Sequence, residues 1–258
     1  MRSGGPSSGS GPTDMCKVAI VAAMEREVRG LLQLKGSGWR PMEREHGGHK
    51  YRFFEDGQDM VLVCGGIGAA AARRAAEAAI ALYAPTVIYS VGFAGGLEPG
   101  VKVGDVFVPA QVIDAGDGSR VNLSEGQGVL VSFASVADPA QKARLKDSFG
   151  AQLVDMEAAA VARAAQARGV EFVAVKSISD DFDFTFPEME RFVDSEGQFQ
   201  PSRFAWFAVL RPWLWWKISQ LFKNSNAASD ALCDWLATSL NQMIAGATAP
   251  ATGTAHSQ

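Results

Sequence analysis

TVIYSVGFAGG, residues 86–96, places a run of β-branched and aromatic residues directly before a cluster of glycines. Thr86–Val91 predicts a buried strand, because no charged residue interrupts the run. Gly92–Gly96 then predicts a tight turn at the carboxyl end of that strand. Ligands of open α/β sheets bind outside the carboxyl ends of strands, and glycines let the backbone approach a ligand closely. The turn is therefore either a plain connection or a binding element that includes Phe93, Ala94 and Gly95.

Strands and helices alternate on both sides of this stretch. Further strands are predicted at Cys16–Ala23, Lys50–Glu55, Met60–Cys64, Asp105–Val112, Gly128–Ser132 and Glu171–Ile178. Helices are predicted at Glu25–Leu34, from Gly68 to Tyr83, at Met156–Ala167, and near 201–222 and 226–243. This alternation predicts an α/β fold, a three-layer sandwich with a central mixed sheet.

The composition of the 258-residue chain argues against several classes of protein. Its net charge of −4 argues against a nucleic-acid partner, since phosphate binding requires a basic surface. The three cysteines form no CxxC pair, which argues against a disulfide framework and a zinc site. With three histidines, a Ser-His-Asp or histidine–metal enzyme has few residues to use. If the chain is an enzyme, we expect carboxylates to carry the proton chemistry, with no cofactor or metal.

Low-complexity sequence at both ends leaves one folded domain over 15–244. Residues 1–14 are rich in Gly, Ser and Pro and predict a disordered extension, and 245–258 predict a similar tail. The apolar stretch 204–216 is too short to span a bilayer, which requires about 20 residues. We therefore expect a cytoplasmic protein.

Two local patterns near the first predicted strands allow a functional interpretation. Gly66-x-Gly68-x-x-Ala71 fits the dinucleotide fingerprint, but the next strand ends without the acidic residue that holds a ribose hydroxyl. The same glycines could offer N–H groups to a sugar oxygen or serve close strand–helix packing. Glu25 and Glu27 follow the first strand, where a carboxylate belongs to a site or simply stabilises a helix start.

Acidic residues also mark two later junctions. Asp155-Met156-Glu157 precedes an alanine-rich helix, so its carboxylates are either helix-start residues or acceptors for two neighbouring sugar hydroxyls. Ser179-Asp180 ends a strand, where Asp180 is either a general acid or part of a capping loop.

In chain order, five segments together resemble the purine nucleoside phosphorylase superfamily, and within it the methylthioadenosine/S-adenosylhomocysteine nucleosidases. They are VAIVAAMEREV (18–28), GGIGAAAA (65–72), SVGFAGGLEPGVKVGDVFVP (90–109), VDMEAAAVA (154–162) and FVAVKSISD (172–180). The resemblance covers most of 16–180. It implies a nucleoside phosphorylase-like sandwich and an enzyme that releases adenine from a 5′-modified adenosine.

The resemblance also implies the catalytic roles. Glu27 matches the carboxylate that positions and activates the attacking water. Asp180 matches the general acid that protonates purine N7, with Ser179 assisting at the base. Such a mechanism requires no histidine or metal, which agrees with the composition.

Substrate-binding residues follow from the same match. Met156 would pack under the ribose, and Glu157 beside Asp155 would hold its 2′ and 3′ hydroxyls. Main chain near Ser132–Ala137, including Val136, would read the edge of the adenine. The resemblance places the remaining contacts at Gly66, Gly68, Phe93, Ala94 and Gly95.

The charge of the residues around the attacking group distinguishes hydrolysis from phosphorolysis. A phosphorylase needs a basic cradle for phosphate, usually with arginine, whereas Glu27 would repel phosphate. Hydrolysis is therefore the favoured interpretation. Arg26, Arg29 and Arg73 lie nearby in sequence and keep a phosphorylase as the alternative. A noncatalytic nucleoside-binding module is the alternative from another class.

Four features depart from the nucleosidases. Gly65 stands where the nucleosidases usually have a serine. Lys176 stands where they commonly have an arginine, so the charge is kept but the bidentate hydrogen bonding of a guanidinium group is lost. The stretch between Asp114 and Val129 is short, and an extra segment lies between Asp183 and Lys217. The short middle, the extra C-terminal segment and the sequence of 135–157 resemble the hopanoid-associated phosphorylase-type subgroup, whose proposed reaction releases adenine from adenosylhopane.

The Trp-rich segment 204–217 has two interpretations. In the first, its tryptophans form an apolar entrance or a peripheral membrane patch, and basic residues face the lipid headgroups. The tryptophans are Trp206, Trp213, Trp215 and Trp216, and the basic residues are Arg203, Arg211 and Lys217. Alternatively they form ordinary core or a dimer interface. The resemblance itself implies a homodimer.

Overall fold

The computed structural model describes residues 18–34, 38–57, 59–184, 192, 200 and 215–247. The expected extension 1–14 lies outside the described residues, as does most of the predicted insert 184–217. The expected tail 245–258 lies outside them from residue 248 onward. The domain boundaries inferred from the sequence therefore stay predictions.

Within the described residues, eleven strands form one mixed sheet. The strands are β1 Val18–Ala22, β2 Arg40–His46, β3 His49–Glu55, β4 Met60–Cys64, β5 Val87–Gly96, β6 Val106–Phe107, β7 Gln111–Asp114, β8 Arg120–Asn122, β9 Val129–Ser132, β10 Leu153–Asp155 and β11 Glu171–Asp180. The helices are α1 Arg29–Gln33, α2 Ala69–Tyr83, α3 Pro139–Phe149, α4 Ala158–Gln166 and α5 Trp215–Ala247. The strand order is β2-β3-β4-β1-β5-β10-β9-β7-β8, and β11 pairs with β5 and β6.

β5 is the central strand, because three other strands pair with it. β1 and β11 lie parallel to β5, and β10 joins its last residues, Gly95 and Gly96, in the antiparallel direction. Parallel strands end at the same edge of a sheet. The chain segments that follow β1 and β11 therefore meet at the carboxyl end of β5.

Helices cover both faces of the sheet. The alanine-rich helices α2 and α4 pack on one face, where Ala75 and Ala162 are fully buried. On the other face, Leu31 of α1 and Leu232 of α5 pack in one cluster with Ile20 of β1. Two helical layers around one mixed sheet confirm the predicted three-layer α/β sandwich.

The glycine cluster lies within a strand, so the predicted turn at Gly92–Gly96 was wrong. β11 pairs with β5 from Val87 to Gly95, and β10 pairs with Gly95 and Gly96. Hydrogen bonds to these neighbours hold the glycines in the sheet although their intrinsic strand preference is low.

Two other predicted elements are shorter than expected. The helix expected at Glu25–Leu34 is limited to α1. The Glu27 side chain accepts hydrogen bonds from N–H groups of the preceding loop, which keeps that segment in a turn. The strand expected at Asp105–Val112 is divided into β6 and β7. Pro109 lies between them and has no N–H for the ladder.

The predicted division of the C-terminal region into helices near 201–222 and 226–243 was wrong, since α5 continues from Trp215 to Ala247. Residues 201–214 lie outside the described part. Polar side chains in the middle of α5 bond within the helix: Gln220 Nε2 donates to Asn224 Oδ1 at 2.8 Å, and Ser225 Oγ donates to the Leu221 carbonyl at 2.7 Å. The helix therefore continues through the polar stretch at which the sequence analysis placed a break between two helices.

Gly65, directly after β4, lets α2 pack closely on the sheet. A Cβ on Gly65 would lie 2.5 Å from the Cβ of Ala75 and 3.2 Å from the carbonyl oxygen of Ala71. The serine that the resemblance places at residue 65 would collide with α2. Packing thus explains this departure from the nucleosidase pattern.

Replacing Gly65 with alanine should destabilise the protein, because the new methyl group overlaps Ala75. We expect Gly65→Ala to lower the free energy of unfolding by about 1–3 kcal/mol, measured by urea denaturation. Adding Ala75→Gly should recover part of this loss. Gly100→Ala is the matched control, since a Cβ there meets no atom within 4 Å. Equal effects of Gly65→Ala and Gly100→Ala would contradict the packing explanation.

Candidate active site

Glu27 lies in the loop after β1, where backbone N–H groups hold its carboxylate. Oε2 accepts hydrogen bonds from Ala23 and Met24 at 2.9 and 3.0 Å, and Oε1 accepts one from Phe93 at 3.4 Å. Burial raises the pKa of Glu27, although these N–H groups and the nearby Lys176 oppose the shift. A carboxylate with a raised pKa is suited to accept a proton near neutral pH.

Two elements, α5 and β5, fix the position of Glu27. Ser229 of α5 donates to the Arg26 carbonyl oxygen at 2.9 Å, and Cys233 Sγ of α5 lies 3.6 Å from the Glu27 carbonyl oxygen. On the opposite side, a Cβ on Gly92 would lie 3.1 Å from Glu27 Oε1. Gly92 also has a φ of +149°, which side chains disfavour, so glycine leaves the space that the carboxylate occupies.

Glu157 lies between β10 and α4 and contacts the glycine turn before α2. Gly68 N–H donates to Oε1 at 2.7 Å, and Met156 N–H donates to Oε2 at 3.2 Å. Burial and the neighbouring Asp155 raise the pKa of Glu157 to about 7, against the opposing charge of Lys176. Glu157 therefore changes charge near neutral pH in the free protein.

A buried ion pair joins β10 to β11 next to these carboxylates. Lys176 Nζ lies 2.9 Å from Asp155 Oδ2 and donates to Ser90 Oγ of β5 at 3.2 Å. Ser132 Oγ donates to Asp155 Oδ1 at 2.5 Å. Burial opposes the charge on Lys176, but Asp155 and Glu157 outweigh it and raise the pKa of Lys176. The site thus contains a permanent cation that offsets part of its negative charge.

Asp180 ends β11, and both of its carboxylate oxygens have partners. Ser179 Oγ donates to Oδ1 at 2.8 Å, and Lys142 of α3 forms an ion pair with Oδ2. Asp180 and Lys142 are both buried. Gly95 lies against this pair, since a Cβ there would be 2.8 Å from Asp180 Oδ2.

One cavity of about 170 Å³ brings most of the sequence-predicted site residues together. Those that line it are Glu27, Phe93, Ala94, Gly95, Val136, Asp155, Met156, Glu157, Ser179 and Asp180. Gly66 and Gly68 are not among its described lining residues, although Gly68 holds Glu157. Within the described ranges, no group of three or more His, Cys, Asp or Glu side chains is arranged to hold a metal ion.

Lys142 also lines the cavity, and the sequence patterns did not single it out. The signal was present just upstream, where Asp138-Pro139 and Gln141 form a helix start. Gln141 N–H donates to the Asp138 side chain at 2.7 Å, and Asp138 N–H donates to the Gln141 side chain at 2.9 Å. Such a capping box with proline at the first helical position predicts α3 and would have placed Lys142 in its first turns.

Comparison with known proteins identifies the family. A family model described as the phosphorylase superfamily matches residues 17–140 and 126–200, which together exceed half of the chain. This chain belongs to the phosphorylase superfamily. The superfamily inferred from the sequence is thereby confirmed, while membership of the hopanoid-associated subgroup stays a prediction.

Individual members of the phosphorylase superfamily show how far the likeness extends. A 5′-methylthioadenosine/S-adenosylhomocysteine nucleosidase of Actinobacillus succinogenes is 31% identical over 205 residues, covering 65% of this chain and 86% of that protein. The Helicobacter pylori nucleosidase of the same name superposes with a TM-score of 0.66 at 19% identity, covering 88% and 99% of the two chains. Futalosine hydrolase from H. pylori strain 26695 gives a TM-score of 0.62 at 20% identity, covering 90% and 98%. The two structures confirm the fold.

Arg26, Arg29 and Arg73, the arginines that lie near the site in sequence, do not line the cavity. The Arg26 guanidinium lies 4.9 Å from the centroid of the Phe222 ring and donates to the Phe222 carbonyl at 3.3 Å. Arg73 forms an i,i+4 ion pair within α2, and Arg29 is exposed on α1. Among the described residues that line the cavity, Lys142 is the one cation.

The raised pKa of Glu157 should make the stability of the free protein depend on pH. Because the folded protein binds a proton that the unfolded chain has lost, stability should fall as pH rises from about 4.5 to about 7. We expect Glu157→Gln to reduce this fall by roughly 1–3 kcal/mol, measured by urea denaturation across the pH range. A variant with the wild-type pH dependence would contradict the assignment of the proton to Glu157.

Proposed function

We propose that this protein hydrolyses the N-glycosidic bond of a 5′-modified adenosine and releases adenine. The observation that carries the proposal is that Glu27, Glu157 and Asp180, which arise from three distant parts of the chain, line one cavity. The relative from A. succinogenes is named as a 5′-methylthioadenosine/S-adenosylhomocysteine nucleosidase, which supports this reaction class.

The chemistry requires charges that these carboxylates supply. Breaking the C1′–N9 bond places positive charge on the ribosyl ring and negative charge on the purine. Glu27 takes a proton from the attacking water and stabilises the cationic ring, and Asp180 passes a proton to N7 of the leaving base. Each general acid or base contributes about 10²–10⁴-fold to the rate.

The two groups are spaced along β5. The Glu27 carboxylate lies against Gly92, and that of Asp180 against Gly95. In the proposed reaction the attacking water therefore binds at the Gly92 end of the cavity and the leaving base at the Gly95 end.

Glu157 is placed to hold the ribose hydroxyls. Its two oxygens each accept one backbone hydrogen bond, from Gly68 and Met156, and each keeps capacity for a hydroxyl donor. Hydroxyl donors stabilise the ionised form and so offset the burial that raises the pKa of Glu157 to about 7. The segment Ser135–Ala137 also borders the cavity, where its main chain would read the adenine edge.

Water fits the Glu27 side of the cavity better than phosphate does. A phosphate there would meet a buried carboxylate, and Arg26, Arg29 and Arg73 do not line the cavity. Anion binding by a phosphorylase requires charge-assisted hydrogen bonds, typically from arginine. The phosphate-dependent phosphorylase is therefore the less favoured alternative.

Adenine release should require no phosphate. We expect 5′-methylthioadenosine, S-adenosylhomocysteine or a long-alkyl 5′-adenosyl compound to yield adenine and a free reducing sugar at the same rate with and without phosphate. A substrate panel that includes adenosine and inosine, read by chromatography, checks this and ranks the 5′ groups, including those related to adenosylhopane. Cleavage only with phosphate would establish a phosphorylase, and binding of every nucleoside without cleavage would establish a noncatalytic module.

Asp180→Asn should lower kcat by about 10²–10⁴-fold, because an amide cannot supply the proton that the leaving purine needs. The amide has nearly the shape of the carboxylate, and its oxygen can still accept a hydrogen bond from Lys142. Circular dichroism should therefore show a folded protein, although loss of the ion pair lowers its stability. The matched control is Asp183→Asn, which changes an exposed carboxylate three residues later and should retain wild-type activity. Near-wild-type turnover by Asp180→Asn would refute its role as the acid.

Three finer points complete the proposal: a cytoplasmic location, a homodimer, and peripheral membrane contact through 204–217. Trp216 is 77% exposed in the single chain, which supports an interface or membrane patch at that residue over a place in the core. The part of the segment before Trp215 lies outside the described residues. Among the described helices, none is long and apolar enough to cross a membrane.

A further inference from the structure

Lys142 places a positive charge at the Asp180 end of the cavity, where the proposed reaction needs a proton. We propose that the proton donor to the leaving purine is the Asp180–Lys142 pair, and that Asp180 without Lys142 is a poor donor. This inference rests on the proposed function and adds to it a second residue that acts on the leaving group.

The structure holds Lys142 firmly in this position. The capping box of Asp138 and Gln141 fixes the start of α3, and Lys142 N–H donates to the Asp138 carbonyl oxygen at 2.8 Å. The Lys142 side chain is only 1% exposed, although lysines usually extend their ammonium group to solvent. Burying an ammonium group is unfavourable unless it is paired, so the ion pair with Asp180 accounts for its place inside the protein.

Lys142 also retains a hydrogen-bond donor for a ligand. Its ammonium group has three N–H donors, of which one is used by Asp180 Oδ2 and one by the Asp181 carbonyl oxygen at 2.5 Å. The described residues accept only these two. Because Lys142 lines the cavity, the third donor can serve a purine bound there.

The central strand leaves room for this pair. A Cβ on Gly95 would lie 2.8 Å from Asp180 Oδ2 and 3.2 Å from Lys142 Cε. Gly95 therefore permits both side chains to lie against β5 at the cavity wall. The lack of a side chain at residue 95 is an observation independent of the burial of Lys142, and it also indicates that Asp180 and Lys142 belong together at the cavity wall.

The proton balance is complete with water as the co-substrate. As the C1′–N9 bond breaks, its electron pair moves to the purine, and one Lys142 proton passes through the Asp180 carboxylate to N7. Water forms the new bond to C1′ and gives its proton to Glu27. After adenine leaves, Lys142 regains a proton from solvent and Glu27 releases one, so nucleoside and water become adenine and the ribose derivative.

Leaving-group dependence separates this role from a structural one. The test uses the full chain with 5′-methylthioadenosine, whose base needs protonation, and with 4-nitrophenyl 5-methylthio-β-D-riboside, whose nitrophenolate leaves without it. We expect Lys142→Met to lower kcat/KM at least tenfold for the nucleoside and less than threefold for the nitrophenyl riboside. Lys146→Met is the matched control, because Lys146 lies one turn later on α3 and pairs with Glu98 at 3.8 Å.

A double-mutant cycle covers the case in which Lys142→Met alone is too unstable to assay, since Asp180→Asn also removes the unpaired charge. If the two residues act as one donor, adding Lys142→Met to Asp180→Asn should lower nucleoside turnover less than threefold further. Proportional loss on both substrates by folded Lys142→Met, or additive losses in the cycle, would overturn the inference and leave the proposed function intact. Failure of the wild-type protein to cleave any nucleoside of the substrate panel would instead overturn the proposed function. If the panel favours another 5′ group, both test substrates carry that group.

Discussion

The parallel alignment of β1, β5 and β11 is the constraint on which the site depends. Because these three strands end at one edge of the sheet, Glu27 and Asp180 meet although 152 intervening residues separate them in the sequence. β10 enters from the other direction and pairs with Gly95 and Gly96, which delivers Glu157 to the same edge. Backbone hydrogen bonds in the ladder thus set the distances between the reacting groups.

Charge balance is the second constraint, and two buried lysines meet it. Lys176 offsets Asp155 and Glu157, whereas Lys142 offsets Asp180. Removal of either lysine would leave a buried carboxylate without its balancing charge, which is strongly destabilising. The lysines therefore contribute both to stability and to the balance between charged and neutral carboxylates.

Strand ends and glycines are visible in the chain, so local signals predicted the fold class and marked Glu27, Glu157 and Asp180 as candidates. The family resemblance, rather than local pattern, supplied their roles and the other cavity residues. Long-range effects escaped them. Gly92–Gly96 looked like a turn because pairing with β11 and β10 has no local signature, and α5 looked divided because its internal hydrogen bonds are not encoded by helix propensity. Lys142 escaped because its importance arises only when α3 packs against the end of β11, 38 residues further along.

The contact of α5 with the Glu27 loop has a consequence for biosynthesis. Ser229 and Cys233, which bond carbonyl groups of this loop, lie 203 and 206 residues further along the chain and are synthesised after it. A nascent chain that has completed β11 carries all three carboxylates of the proposed site but lacks the helix that supports one of them. The site should therefore reach its final geometry only after α5 has been synthesised and has docked on the Glu27 loop. Folding of the domain and assembly of the active site should then finish in the same step.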